Sequence, residues 1–237
     1  MNKKTISKLI TGISLIIAFV LWTILVVCVD VKPIGPFKSG IEGQYSVGMA
    51  TMNEFFLGYF EYNEALLKIT DALMYSVILA AAIFGLIGII QWIKRKSILK
   101  VDHQILVLGC SYIVVILAYV FFEIVKVNYR PVLIDGKAEA SYPSSHTMTA
   151  LFVFLSAIPM VSYLLKEKKI LKIVIIVGLI LLAAFTVIGR ILSGAHWMSD
   201  IVGGCLFATG VLFLFLFFIE FFDKNKCKNI EVKEKEM

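Results

Sequence analysis

Charge is the first scarcity in this sequence: Asp, Glu, Lys and Arg make up 17% of the 237 residues, against 59% hydrophobic residues and a mean hydropathy of +0.90. That composition excludes a water-soluble domain of this length and makes a lipid bilayer the solvent. Strand-like alternation is missing from the apolar runs. Backbone groups in lipid must then be satisfied within helices. Cysteine is sparse too: Cys28, Cys110, Cys205 and Cys227 show no metal-type spacing. The first three fall in apolar runs and read as small core residues, which excludes a disulfide framework. No A-x-A-like site follows the first apolar run, so Lys3, Lys4 and Lys8 precede an uncleaved first span rather than a signal peptide. Repeats, low-complexity tracts and a separate soluble domain are likewise missing, and residues 1–237 read as one membrane domain.

What the chain does have is six long apolar runs, where about 20 residues are needed to cross a membrane. They are Leu9–Val29, Ala72–Ile93, Ile105–Val125, Thr149–Leu165, Ile170–Ile188 and Ile201–Phe222. The expected fold class is all-α, a polytopic six-transmembrane-helix bundle. Only Lys166-Glu167-Lys168-Lys169 separates the fourth run from the fifth, a tight charged hairpin.

The positive charge is sorted. With the N-terminus inside, 16 of the 23 Lys and Arg residues fall on the inner side. This sorting accounts for the net charge of +6 without any nucleic-acid partner. It predicts a multi-pass protein of the cell membrane with both termini cytoplasmic, the tail from Lys224 onward being a solvated positive end.

The first outer segment, Val31–Asp71, contains the turn signal Pro33-Ile34-Gly35-Pro36. An aromatic stretch follows, with Phe55, Phe56, Tyr59, Phe60 and Tyr62 and then Leu66, Leu67 and Ile69. It suits a helix anchored in the interface; a lid over a lipid site is the other reading.

Chemistry concentrates in the other two outer segments. In Gly189–Asp200 the spacing is R-x5-H-x3-D, with Arg190, His196 and Asp200. If a helix begins at His196, the imidazole and the carboxylate are i,i+4 neighbours, so the carboxylate can hold one ring nitrogen while the other faces a substrate. Arg190 adds a planar fork matched to phosphate oxygens. Arg130-Pro131 ends the third run, and Pro143-Ser144-Ser145-His146 precedes the fourth. Ser144 or Ser145 can cap that helix, leaving first-turn amides free for an anion. Each piece alone also reads as a capped loop at the membrane surface. Their conjunction says more: two of only three histidines and two of only three arginines gather on the face opposite the lysines. They supply the parts of a phosphate clamp, a nucleophile and a general acid.

Taken in order, these three pieces resemble the signature of the type 2 phosphatidic acid phosphatase superfamily, K-x6-R-P, P-S-G-H and S-R-x5-H-x3-D, over roughly Lys126 to Asp200. The superfamily comprises integral-membrane lipid phosphatases and soluble relatives that include the vanadium haloperoxidases. Three positions depart from it. Glu123 stands where the lysine belongs, with Lys126 one turn later as its candidate replacement; Ser145 replaces the glycine and Gly189 the serine. The resemblance implies that His196 is the nucleophile, that Asp200 orients it, and that His146 is the acid and then the base. It further implies that Arg130, Arg190, Ser144, Ser145 and Lys126 bind the phosphate. The implied site faces outward and needs neither metal nor cofactor; a Cys-x5-Arg loop for cysteine chemistry is missing. The implied substrate is a phospholipid or polyprenyl phosphate: undecaprenyl diphosphate, phosphatidic acid or phosphatidylglycerol phosphate. A lipid phosphotransferase, or an inactive lipid-phosphate-binding or transport protein, would carry the same marks. Oligomeric state is left open.

Overall fold

The computed structural model describes residues 2–33, 45–134 and 136–235. Its frame is six long helices. The first is α1 (Lys3–Cys28); after a short α2 (Ala50–Leu57) come α3 (Glu64–Arg95), α4 (His103–Ile124), α5 (Ser145–Leu164), α6 (Lys169–Leu192) and α7 (Met198–Lys235). All except α2 are long and apolar enough to cross a membrane, α7 over Met198–Asp223. The six expected runs are therefore six helices; each begins before its apolar run, and α3, α6 and α7 also continue past its end, whereas α1, α4 and α5 stop one residue short. Backbone hydrogen bonding and caps set the ends, and apolarity alone marks only the stretch that lies in lipid. Asn2 accepts from the Lys4 amide, Asn63 from Leu66 and Ser144 from Thr147, each an N-cap serving a first-turn N–H.

Two of the six helices form the centre. Half or more of the spans of α5 and α7 are buried (56% and 50%), against 11–17% for the other four. Helix α7 packs on α1, α5 and α4, and α5 also packs on α6, α3 and α4. Phe152, Phe154, Met160, Phe207 and Phe215 fill the space between them. The outer helices turn Ile10, Ile17, Leu79, Leu86, Leu117 and Leu181 outward, the faces that meet lipid tails. Cys28 and Cys110 are also exposed, which corrects their expected place in the core; Cys205 is half-buried, and Cys227 lies outside the described side chains.

The interfacial segment differs from the expected single helix. Helix α2 stops at Leu57, and Leu66, Leu67 and Ile69 belong to the start of α3. Phe55 and Tyr59 are exposed, while Ala50 and Asn53 are buried as α2 docks on α7. A two-residue antiparallel ladder, β1 (Lys32–Pro33) with β2 (Ser46–Val47), closes this side. The remainder of the expected turn, Ile34–Pro36, lies outside the described residues.

Helices α1 and α7 meet through small residues. A Cβ on Gly12 would lie 2.9 Å from Leu214 side-chain atoms, and one on Gly210 would lie 2.8 Å from Ile16 Cδ1. Close backbone approach through glycine is a common means of association in lipid. Replacing Gly210 by leucine should force the two helices apart at a cost of about 1–3 kcal/mol. The expected result is a lower melting midpoint in detergent; an unchanged midpoint would mean that the two helices are free to shift.

Candidate active site

Because successive spans run antiparallel, the N-termini of α3, α5 and α7 and the C-termini of α4 and α6 share one end of the bundle. All three motifs sit there. The lysine-rich hairpins sit at the other end, where Arg95 pairs with Asp102 and Lys8 with Glu220.

Asp200 is fully buried and organises the third motif. Helix α7 begins at Met198, two residues later than His196. Asp200 is thus the third helical residue, and its Oδ2 accepts from the amide of Trp197, the residue before the helix, at 3.0 Å. That is one half of a capping box. The carboxylate also accepts from Asn128 Nδ2 at 3.0 Å, from Ser199 Oγ at 3.4 Å and from Ser141 Oγ in a short bond. Its own carbonyl accepts from the Ser144 amide at 3.0 Å, which ties the second motif to the third. Asn53, reaching over from α2, accepts from the Ser199 amide at 3.0 Å and donates to the Ser199 hydroxyl.

His196 is buried beside this network. Its Nδ1 lies 3.1 Å from Ser141 Oγ and 3.8 Å from Asp200 Oδ2. The Ser141 hydroxyl therefore stands between imidazole and carboxylate, where direct contact was expected. With Nδ1 engaged, Nε2 is left buried and without a hydrogen-bond partner among the described residues. Burial, and after it the charges of Arg130, Arg190 and His146, hold the imidazole well below the usual histidine range. The ring is neutral at pH 7, with an available lone pair.

Arg190 occupies the last turn of α6 and is completely buried. Its Nη2 donates to Asp71 Oδ1, while Nε and Nη1 lack partners among the described residues. The same Asp71 Oδ1 lies 3.1 Å from Nε2 of His146, in the first turn of α5. Arg130 is 9% exposed, with Nε 3.3 Å from Glu139 Oε2 but not aligned to bond it. Ser144 is buried as the N-cap of α5, and Ser145 lines a pocket shared with His196. Lys126 is exposed, its ammonium 5.6 Å from the Tyr129 ring centroid; that aromatic face is the contact the structure gives it. Glu123 lines the pocket that holds Ser145 and His196. On the other side of His196 lies a second, apolar pocket formed by Phe56, Leu57, Phe60, Ile191, Met198 and Ile201.

Sequence reading missed Asp71, Ser141, Asn128 and Asn53. Asp71 carried a signal: it is the acidic residue at the outer edge of the second apolar run, the eighth residue of α3. It was read as the end of the outer segment. The other three are ordinary loop or short-helix residues until the chain folds.

A polytopic helical membrane protein with two histidines and two arginines gathered at one end is the class that this fold and geometry define. A model of the PAP2 superfamily matches residues 112–224. The resemblance read from the motifs therefore holds: the matched stretch carries every motif residue from Lys126 to Asp200. A comparison with curated proteins gives no match. Among solved structures, the chain is similar to the first transmembrane PAP2-type phosphatidylglycerolphosphate phosphatase from Bacillus subtilis. The TM-score is 0.54 at 19% identity, over 91% of this chain and 96% of that one. At that identity the likeness speaks for a shared fold.

The neutral, buried state of His196 has a consequence for stability. Below about pH 6.5 the unfolded chain binds a proton at this histidine that the folded chain does not. His196 therefore lowers stability as pH falls, by at most about 1.4 kcal/mol per pH unit. Melting midpoints in detergent at pH 7.5 and 5.5 should drop more for the wild type than for His196→Gln; equal drops would place a protonated ring in the folded state.

Proposed function

We propose that this protein is a membrane lipid phosphatase, a single unit that hydrolyses a phosphomonoester or diphosphate of an amphiphilic substrate through a phosphohistidine. The observation that carries this reading is the set of orphaned buried groups. His196 Nε2, Arg190 Nε and Nη1, and Arg130 Nε have no hydrogen-bond partner among the described residues. Buried polar groups are normally satisfied. Two guanidiniums with unused donors around an unused imidazole lone pair suit an oxyanion that bonds to the cations while its phosphorus meets the nitrogen.

In the first step His196 Nε2 forms the N–P bond as the P–O bond to the lipid breaks, and the leaving oxygen takes a proton from His146. In the second, His146 takes a proton from water, whose oxygen attacks phosphorus and releases phosphate and neutral His196. Asp200, acting with Ser141, fixes the tautomer and stabilises the imidazolium character of the intermediate. Arg130, Arg190 and the free first-turn amides at Ser145 and His146 hold the equatorial oxygens. The chain's own cations supply the positive charge, so neither metal nor cofactor has a part. Ser144 contributes through its cap, and Lys126 is assigned to the headgroup approach.

The apolar pocket beside His196 and the lipid-facing bundle favour an amphiphile, whose tails remain in the bilayer. Lysine sorting supports an extracellular or periplasmic position for this end, with the termini cytoplasmic. Undecaprenyl diphosphate, phosphatidic acid and phosphatidylglycerol phosphate form the substrate set, the last being what the Bacillus subtilis neighbour is titled for.

Phosphate release from these three lipids in detergent tests the scheme. His196→Ala should eliminate it, and His146→Ala should slow it by about 10²–10⁴-fold. Excess EDTA should leave the rate unchanged. Full activity in His196→Ala, or complete loss with the chelator, would refute the mechanism.

A further inference from the structure

Asp71 lies outside the three motifs and outside the region matched to the PAP2 superfamily, yet one of its oxygens touches two of the motif side chains. Oδ1 accepts from Arg190 Nη2 and sits 3.1 Å from His146 Nε2. Its own side chain is about half exposed, whereas that of Arg190 is fully buried. A buried guanidinium is stable only with an anionic partner. Among the described residues, Asp71 supplies one.

The close approach of α3 and α6 makes the contact possible. A Cβ on Gly189 would lie 2.5 Å from Thr70 Cγ2, closer than real atoms allow. The glycine at this position, where the family pattern has serine, lets the Thr70–Asp71 turn of α3 come up to Arg190.

Resting on the phosphatase reading above, we infer that Asp71 is the positioning residue of the general acid, holding His146 by Nε2 so that Nδ1 is the nitrogen that gives and takes the proton. Nδ1 has the Ser145 hydroxyl 3.5 Å away, and Ser145 lines the pocket that also contains His196. With Nε2–H donated to the carboxylate, the imidazolium carries its transferable proton on Nδ1. After that proton goes to the leaving oxygen, the neutral ring is already the tautomer that can accept one from water. One carboxylate contact therefore sets the ring for both steps. The same oxygen keeps Arg190 turned toward the phosphate, whose oxygens find Nε and Nη1 unused.

The alternative is that Asp71 merely fills an empty phosphate cradle. The two readings predict opposite effects. Positioning makes Asp71→Asn harmful where the leaving group needs a proton and nearly harmless where it does not. The test compares kcat/KM, which reports the step in which the leaving group departs, for the best lipid substrate of the set and for p-nitrophenyl phosphate. Asp71→Asn should lower the lipid value by about 100-fold and the p-nitrophenyl value by less than about tenfold. The ratio is internal to each sample, so it does not depend on the folded fraction. Asp71→Glu, which keeps the charge one methylene away, should give an intermediate ratio and replaces the first variant if that one does not accumulate.

Equal losses on both substrates would overturn the inference, as would a higher kcat/KM together with tighter inhibition by inorganic phosphate. If the wild-type protein hydrolyses neither substrate, the phosphatase reading itself falls and takes this inference with it. Wild-type turnover that is lost in His196→Ala upholds that reading whatever the Asp71 ratio shows.

Discussion

A guanidinium with no access to water dictates much of what surrounds it. Arg190 lies at the end of α6 in full burial. In such a place the charge needs anions and acceptors supplied by the protein or by a ligand. One nitrogen has Asp71; two have nothing among the described residues. That partial satisfaction ties the second spanning helix to the fifth and, through His146, to the fourth. It also leaves a place whose chemistry matches a phosphate.

The second organising group is Asp200, satisfied by contrast. Four donors meet its carboxylate and the Ser144 amide meets its carbonyl. The residue therefore has a structural part, capping α7 and joining two motifs, as well as the orienting part assigned to it toward His196. Ser141 connects the two roles. The buried asparagines Asn53 and Asn128 extend the network to α2 and to the loop after α4, and Ser141 joins that network to His196. The two carboxylates thus differ in kind: Asp200 lies within a finished network, and Asp71 at the edge of an unfinished one.

Placement of the site on α5 and α7 follows from packing. These are the two most enclosed spans, and their N-termini are held by Ser144 and by Asp200 and Asn53. The positive ends of these two helices lie at the same end of the bundle as the arginines and add no titratable group. The apolar side of the pocket, built partly from α2, brings the interfacial aromatics Phe56 and Phe60 within reach of whatever His196 meets.

Six spans, the hairpin at Lys166–Lys169, the cap at Ser144 and the clustering of His146, His196, Arg130 and Arg190 were all legible in the amino-acid order. The reason is that hydrophobic length and cap chemistry are local, and alternation of spans then assigns each loop to an end. Every helix starts earlier than its apolar run, and α3, α6 and α7 also end later, because polar residues such as Arg190 continue a helix once it has left the lipid. The partners of the chemistry were not legible. That Asp71 reaches Arg190 and His146, that Ser141 stands between His196 and Asp200, and that Lys126 rests on Tyr129 depend on angles between helices and on close approaches such as Gly189 against Thr70. Apart from Lys126 and Tyr129, which are three positions apart, these partners lie 55 to 119 positions apart in the chain, and only the folded chain brings them together.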